Sequence, residues 1–552
     1  MGLLFMHKKI YIMLFVTALL TTADLGAQTG GDDAVLKAMQ MELARSQAKL
    51  QLHEMQRPYF IEYRLEDINE FSASAEYGAL SHQGHEHQRY LRVSVRIGDY
   101  KSDNSNSRGA GATAIAASDN DVTALRYALW ATTDEAYKDA LRAYSAKQAA
   151  LKGYQTPPTA DDFSSAKAVT QIDPLVKLDL NTAEWTRRVE EASGLFATDV
   201  AVSSFAQEIQ YSTSNMQATA INRYIVNTDG TAVRHGYTTY SVSVGAGTQA
   251  ADGMRLDRSY TSSAVSEKQL DDWAAFKKHT IDILLTLRDL RLAPVVGDDY
   301  HGPVLFSGDA AAGVIDFLFV PNIEADRPEM GTTARTQGAY KASYKSRVLP
   351  DFIDVVDDPL MTSFEGKGLV GAYSVDDEGV PAQKVQIVSK GILDNYLIGR
   401  EPVKDFPVSN GHGRAPLAQA AHARAGVLVV KSLDPVSVAD LNAKLLQMAK
   451  DQGRDFVYMV ETLGARLTPR LLYRVNASGT RELVRGVVFE ELDQRSLRSD
   501  IVAAGDDAYV SNLASGVPET TIAPSLLFGD VGVKRATQEH EKLPYYPPPA
   551  IK

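Results

Sequence analysis

Two short polar runs hold the side chains best suited to chemistry in this 552-residue sequence. In the first run, Asp376, Asp377 and Glu378 are consecutive and could supply carboxylates for general acid–base catalysis. Gly379 follows them and indicates a turn, in which aspartate side chains commonly accept hydrogen bonds from their own backbone. The turn chemistry favours a structural use of the triplet over a catalytic one.

The second run is Ser409-Asn410-Gly411-His412-Gly413-Arg414. It combines a histidine, which titrates near neutral pH, with a permanently charged arginine. The two glycines let a backbone approach a ligand closely. A plain turn explains this run about as well as a binding loop does.

A third candidate is a histidine cluster formed by His82, His85 and His87 around Glu86. Imidazole and carboxylate groups are ligands that zinc accepts. The cluster precedes the alternating segment 90–98, which predicts a half-buried strand, so the histidines are predicted to lie in a polar loop. No helix fixes their geometry, and a solvated loop is favoured over a metal site.

Composition excludes several classes of function. The chain has no cysteine, which excludes disulfides, thiolate metal ligands and a cysteine nucleophile. With 57 Lys and Arg against 69 Asp and Glu, the net charge of −12 leaves no cationic surplus for binding nucleic acid. The 44% hydrophobic content is that of a globular protein, and the length predicts two or three domains.

The first 27 residues resemble a secretory signal peptide. Lys8 and Lys9 precede an apolar run over 10–20, and a stretch of small residues ends at Ala27. The run is shorter than the ~20 residues that span a bilayer. We therefore expect a periplasmic or secreted protein with no membrane segment after signal cleavage.

Periodicity predicts an α+β, multi-domain fold with largely antiparallel sheets and a β-rich C-terminal domain, because strands arrive in runs. Helices are predicted over 121–151 and 182–192, and turn chemistry at 227–230 predicts a hairpin. Strands are predicted over 59–65 and 72–80. The predicted domains are an N-terminal domain at 28–160, a central domain at 174–294, a C-terminal domain at 295–535 and a proline-rich tail at 536–552.

The order of short motifs along the chain resembles the TldD/PmbA (TldE) family of metalloprotease-related proteins, in particular its secreted bacterial branch. The motifs lie at 93–100, 124–130, 133–138, 302–306, 376–381, 391–393, 409–414, 484–486 and 523–528. The resemblance implies zinc-dependent peptidases that trim unfolded peptides within a TldD–TldE heterodimer. It also implies that zinc is bound by an HExxxH helix and a cysteine further along the chain.

The sequence departs from that pattern where the helix should begin. After Phe306 it reads Ser307-Gly308-Asp309-Ala310-Ala311-Ala312-Gly313, without histidine or glutamate, and no cysteine exists anywhere. The prediction is therefore a metal-free, TldE-like subunit without a cofactor, in which no residue is assigned a catalytic role. Its partners would be unfolded peptides and a TldD-like chain or a second copy. The candidate peptide-binding residues are Asp376, Asp377, Glu378, Asn410, His412 and Arg414.

Two alternatives remain open at this point. One is an active peptidase with relocated metal ligands such as His85, His87 or His412. The other is a non-metal hydrolase that uses the acidic triplet.

Overall fold

The computed structural model describes residues 33–105, 111–297, 299–328, 330–537 and 541–542. The predicted signal peptide and most of the predicted tail lie outside these residues. The described chain combines helices with largely antiparallel sheets and is rich in strands in its C-terminal half, which confirms the predicted fold class. None of its helices is both long enough and apolar enough to cross a membrane.

The first half of the chain forms a seven-stranded sheet covered by four helices. In chain order the elements are α1 (Ala34–Lys49), β1 (Phe60–Glu76), β2 (Ala79–Arg96), β3 (Ala112–Ala116), α2 (Val122–Leu151), β4 (Thr170–Ile172), α3 (Thr182–Thr198), β5 (Ile209–Asn227), β6 (Ala232–Gln249), β7 (Arg255–Ala264) and α4 (Trp273–Leu292). The strand order is β3-β2-β1-β5-β6-β4, and β7 pairs with β6. The hairpin between β5 and β6 and the helix α2 confirm two of the sequence predictions.

Side chains alternate between the two faces of a strand, and this sheet separates them by polarity. On β1, the odd-numbered residues are mostly apolar, such as Tyr63, Leu65 and Phe71, and they pack beneath the helices. The even-numbered residues, such as Glu66 and Glu70, lie on the other face. That polar face turns toward the second half of the chain, and it carries the residues on which the candidate site depends.

The second half of the chain contains two larger sheets. Its elements are β8 (Tyr300–Phe306), α5 (Gly308–Leu318), α6 (Val320–Ile323), β9 (Ile353–Asp357), β10 (Ser363–Phe364), β11 (Lys367–Gly368), β12 (Val385–Ser389), β13 (Ile392–Leu393), β14 (Gly413–Arg414), β15 (His422–Ala423), β16 (Val427–Ser432), α7 (Val438–Asp451), β17 (Phe456–Leu463), β18 (Pro469–Asn476), β19 (Arg481–Val484), β20 (Val487–Glu490), α8 (Gln494–Ser499), β21 (Ile501–Ala504), β22 (Tyr509–Leu513), β23 (Glu519–Ala523) and β24 (Leu526–Arg535). The sheet orders are β13-β12-β9-β16-β23-β22 and β19-β18-β17-β8-β24-β20, with β21 beside β24. Helix α5 contacts strands of both sheets and belongs to their common apolar core.

Two sequence predictions on the first sheet are wrong. The strands predicted at 59–65 and 72–80 are joined in one strand, β1, which ends at Glu76, since the segment between them keeps the same alternation of faces. The chain then turns, and Ala79 already begins β2. The loop predicted around His82, His85 and His87 is part of β2, which pairs with β1 from Ala79 to Arg96. Polar composition misled the prediction here, because residues 79–88 of β2 are exposed or half-buried and carry few apolar side chains.

The predicted N-terminal and central segments share a single sheet. Strand β1 belongs to the first segment and β5 to the second, and they pair continuously from Glu62 opposite Asn227 to Glu76 opposite Thr213. Such long-range pairing leaves no local signal in the sequence. The long connection between α2 and α3 contributes only the short strand β4 to this sheet.

Candidate functional site

Helix α5 stands where the resemblance places the zinc-binding helix. It begins at Gly308, two residues after β8 ends. An HExxxH pattern that starts at this residue would require histidine at 308 and 313 and glutamate at 309. The chain has Gly308, Gly313 and Asp309 at those places.

The packing around position 308 leaves no room for a side chain. A Cβ atom added at Gly308 would lie 2.6 Å from the Cβ atom of Tyr509, which is too close for unbonded atoms. Tyr509 also donates a hydrogen bond to the carboxylate of Asp309. Burial nevertheless raises the pKa of Asp309 above its ordinary value.

The residues around α5 do not fit a zinc ion. Besides Asp309, the helix offers Asp316, which accepts a hydrogen bond from the Oγ1 atom of Thr521. Structural and catalytic zinc sites need three or four protein ligands. Within the described ranges, no three His, Cys, Asp or Glu side chains are grouped so that they could hold a metal ion. The donor set is thus inadequate at α5 and at every other described position.

The acidic triplet forms a tight turn, as its composition favours. The carboxylate of Asp376 accepts hydrogen bonds from the backbone N–H groups of Glu378 at 3.0 Å, Val380 at 2.8 Å and Gly413 at 2.9 Å. Gly379 has a φ of +74°, a conformation that glycine adopts readily. Asp376 is fully buried, and burial together with the charge of Glu378 raises its pKa well above the ordinary value. It therefore holds the turn to the second polar run.

Asp377 joins the two halves of the molecule. Its carboxylate pairs with Arg223 of β5, lies 3.3 Å from the Nε atom of Arg414, and accepts a hydrogen bond from the N–H group of Ala415 at 2.7 Å. Arg223 and Arg414 outweigh the effect of burial and hold the pKa of Asp377 below its usual range.

Glu66 of β1 completes this charge cluster. Its Oε1 atom lies 3.0 Å from the Nη2 atom of Arg223 and 3.3 Å from the Nε atom of Arg64. We call Arg64, Glu66, Arg223, Asp377 and Arg414 the ionic junction. All five side chains are nearly inaccessible to solvent.

Glu378 faces the opposite side of the turn. Its Oε2 atom accepts a hydrogen bond from the backbone N–H of Arg400 at 2.5 Å. Burial raises its pKa to about 7, although Arg400 favours the charged form. The Arg400 guanidinium stacks on Phe163 at 4.1 Å and Phe60 at 4.8 Å, and donates to the backbone oxygen of Ser164 at 2.7 Å.

The second polar run is enclosed as well. His412 is fully buried, with its Nε2 atom 3.1 Å from the Oδ1 atom of Asp357 and its Nδ1 atom 3.0 Å from the backbone oxygen of Asn410. The Asn410 side chain accepts from the N–H of Ile398 at 2.8 Å and donates to the oxygen of Tyr396 at 2.8 Å. The six predicted site residues thus lie near one another, but five of them are buried and Asn410 is half-buried. Their peptide-binding role remains a prediction.

An open groove of about 680 Å³ begins beside the ionic junction. Its floor is the polar face of the first sheet, and its far wall consists of residues 416–419 and the β22–β23 hairpin. The floor is mainly uncharged and able to form hydrogen bonds, with residues such as Gln217, Thr219, Tyr237, Thr239 and Ser241.

Sequence reasoning missed this groove. The signal that could have revealed it is the alternation on β5, where Gln217, Thr219 and Ile221 alternate with the buried Met216, Ala218 and Ala220. That pattern indicates one face without a core partner, but it does not indicate what lies opposite.

The histidine cluster lies outside this groove. His87 has its Nε2 atom 2.7 Å from the Oδ1 atom of Asp67, and the His85 ring packs on Phe71 with centroids 4.9 Å apart. His82 points to the other face of β2, because it is an odd number of residues away. The described structure therefore does not gather the three imidazoles around one point.

Comparisons with known proteins agree with this architecture. Residues 299–535 match the family model of the PmbA/TldA metallopeptidase C-terminal domain. A metalloprotease of Archaeoglobus fulgidus is 26% identical over 182 residues, and a metalloprotease of Methanocaldococcus jannaschii is 29% identical over 99 residues. These alignments cover 33% and 18% of this chain, and 37% and 21% of the two relatives. The chain thus matches much less than two thirds of either relative's length.

Two solved structures share the fold over 90% of this chain and 99% of their own. They are a proposed modulator of a DNA gyrase from Thermotoga maritima, with a TM-score of 0.61 and 16% identity, and TldE from Thermococcus kodakarensis, with a TM-score of 0.60 and 13% identity. Together, these comparisons show that residues 299–535 are similar to the C-terminal domain of PmbA/TldA metallopeptidases and that the chain shares its fold with the two solved structures.

Proposed function

We propose that this protein binds unfolded peptides in the groove between its two halves and acts as a metal-free, TldE-like partner subunit in proteolysis. The observation that carries the proposal is a wide groove in a chain whose α5 lacks the chemistry of a zinc helix. A groove of about 680 Å³ has the size of a site for a ligand of several residues.

The chemistry of the groove suits a polypeptide backbone. Hydroxyl and amide side chains can both donate and accept hydrogen bonds, so they satisfy the N–H and C=O groups of an extended chain without reading its sequence. Apolar residues, such as Ile68 and Ile221 on the floor and Leu417 and Leu513 on the far wall, offer contacts for side chains. An unfolded peptide presents both kinds of group along its length.

The partner and the location belong to the same proposal. TldE of Thermococcus kodakarensis shares the fold, and by analogy a TldD-like chain would supply the catalytic metal. A homodimer is the alternative assembly. The signal-like residues 1–27 support export to the periplasm or the medium, as in the secreted branch of the family.

The contacts give less support to the two alternative activities. His412 is enclosed, with both ring nitrogens near protein acceptors, and His87 faces Asp67. These imidazoles would need other partners to become zinc ligands. In the acidic triplet, Asp376 and Asp377 are held by backbone N–H groups and arginines, so neither is free to act on a substrate.

Peptide binding tests the proposal directly. We expect a labelled, unstructured peptide to bind the purified chain, as measured by fluorescence anisotropy. The substitution Thr219→Trp fills the groove floor and should weaken binding at least about tenfold. Thr123→Trp, on the exposed face of α2 and away from the groove, is the matched control and should leave the affinity unchanged.

Cleavage assays decide between the activities. The protein alone should not cut the peptide, whereas addition of a TldD-like partner should produce cleavage that Thr219→Trp reduces. Stoichiometric zinc retained through dialysis, together with chelator-sensitive cleavage by the protein alone, would overturn the proposal in favour of relocated ligands. Chelator-resistant hydrolysis of small esters or glycosides would favour the non-metal hydrolase.

A further inference from the structure

The charges that line the groove are all of one sign. Glu70 of β1 and Glu86 of β2 are the two charged side chains among the described residues that border it, and no lysine, arginine or histidine borders it. Every other lining residue is neutral. The groove therefore presents two carboxylates without a cation of its own.

The two carboxylates are direct neighbours. In the antiparallel pairing of β1 and β2, Glu70 stands opposite Glu86, and both side chains belong to the polar face. Like charges at directly opposed positions destabilise a sheet. Neither glutamate forms an ion pair within the described structure, and Glu70 accepts a 3.3 Å hydrogen bond from the Nε2 atom of Gln217.

Two other carboxylates on β1 contrast with this pair. Glu66, four residues before Glu70, lies near Arg64 and Arg223. Asp67 on the opposite face lies 2.9 Å from Arg89 and 2.7 Å from His87. The sheet thus neutralises nearby carboxylates with its own cations, but it leaves the pair inside the groove without one.

We infer that the groove selects extended peptides carrying a cationic group, which docks between Glu70 and Glu86. This inference rests on the proposed function, since it assumes that the groove holds a peptide. The cation is either the ammonium or guanidinium of a basic side chain or the free amino terminus of the peptide, and both share the same chemistry.

The surroundings of the pair fit such a group. Thr219 faces Glu70 on the neighbouring strand, and the hydroxyl can accept a further hydrogen bond from an ammonium. Ile68 lies two residues before Glu70 on the same face, about 7 Å along the strand. The aliphatic stem of a lysine or arginine can cover Ile68 while its charged end reaches the carboxylates.

Four versions of one unstructured host peptide test the inference with the full-length protein. The first has an acetylated amino terminus and a single central lysine, and the second has glutamine in place of that lysine. The third has a free amino terminus and no lysine, and the fourth has glutamate at the centre. We expect the lysine peptide to bind roughly tenfold more tightly than the glutamine peptide at low salt, and the glutamate peptide to bind most weakly.

Glu70→Gln and Glu86→Gln, alone and combined, should remove this preference and bring the lysine and glutamine peptides to within about twofold of each other. Glu190→Gln, on the exposed side of α3, removes the same charge elsewhere and should preserve the preference. Tight binding of the third peptide would identify the amino terminus as the cation, whereas tight binding of the first alone would identify the side chain.

Failure of the inference differs from failure of the proposed function. If all four peptides bind with equal affinity and Thr219→Trp weakens the binding of each, the selection for a cationic group is overturned. The groove would still be a peptide-binding site. A preference that survives in the Glu70→Gln/Glu86→Gln double variant would also overturn it. Absence of binding by any peptide, with or without a TldD-like partner, would overturn both.

Discussion

Two carboxylates on one strand, four residues apart, have opposite roles in this molecule. Glu66 belongs to the ionic junction, where it contacts two arginines and is only 1% exposed. Glu70 points from the same face into the open groove and faces another carboxylate instead of an arginine. The residue type and the sheet position are equivalent, so coverage by the second half of the chain accounts for the difference.

The comparison shows how a polar sheet face is divided between structure and binding. Where the acidic turn and residues 415–418 cover the sheet, the charges must be compensated, because an unpaired charge without water is strongly unfavourable. Residues Asp377 and Arg414 provide that compensation from the covering side. Where the cover opens into the groove, water can solvate the carboxylates and a ligand can replace that water.

The largest effect is expected from breaking the ionic junction. Asp377→Asn leaves Arg414 without a counter-charge and Arg223 with only Glu66, which it shares with Arg64, in a buried site; this should lower the free energy of unfolding by about 3–5 kcal/mol. Urea denaturation would measure this change. Asp405→Asn is the control, because it removes the charge of a 44%-exposed carboxylate that lies 2.6 Å from Arg335. It should lower the free energy of unfolding by no more than ~1 kcal/mol. Equal effects of the two substitutions would show that the junction is not a buried charge cluster.

Arg400 tests whether the covered part of the sheet depends on guanidinium geometry as well as charge. Arg400→Lys keeps the cation but loses the stacking on Phe60 and Phe163 and the paired donation to Ser164. We expect a loss of about 2–3 kcal/mol in the free energy of unfolding. The conservative replacement Arg495→Lys, at a largely exposed side chain, should change it by no more than ~0.5 kcal/mol.

Glu378 tests the effect of burial on a carboxylate of the turn. Its pKa is raised to about 7 in the folded protein, so the fold binds this proton more tightly than the unfolded chain does. The resulting stabilisation is fully present below pH ~4.5 and is lost as the pH rises through about 7.

We therefore expect the free energy of unfolding of the Glu378→Gln variant to exceed that of the wild type by about 1–2 kcal/mol at pH 8. At pH 5 the difference should be much smaller. Denaturation at several pH values would measure the difference. A difference that does not change with pH would contradict this explanation.

The smallest effect is expected in the groove. Glu86→Gln removes the repulsion between directly opposed glutamates, so the free protein should gain roughly 0.2–1 kcal/mol, and the gain should shrink as salt is added. Thermal unfolding at two ionic strengths would show it. A loss of stability would mean that Glu86 has a stabilising partner and would weaken the contrast with Glu66.

Local patterns predicted the parts of the fold that depend on neighbouring residues. Apolar spacing identified α2, and Asn227-Thr228-Asp229-Gly230 identified the β5–β6 hairpin. The turn at Asp376 could also be predicted, because its carboxylate accepts hydrogen bonds from residues close to it in sequence.

Features that depend on pairing between distant parts of the chain could not be predicted from the sequence. His82, His85 and His87 lie in a strand only because β1 continues beside them, and Glu66 and Glu70 cannot be distinguished before the second half of the chain is placed. The enclosure of Asp377 and His412 likewise depends on contacts with Arg223 and Asp357, far away in sequence. The groove is the space left by that docking and has no motif of its own.

The first turn of α5 bears on whether this chain could acquire a zinc-binding helix. A histidine at Gly308 would have to displace Tyr509, whereas a Cβ atom at Gly313 would make only ordinary contacts with Leu463. The step at Gly308 overpacks the core by about 1–3 kcal/mol before a complete ligand set exists to compensate for it. Evolution toward an HExxxH helix would therefore pass through a less stable intermediate with no catalytic advantage, and the packing of one glycine helps to keep that motif out of this chain.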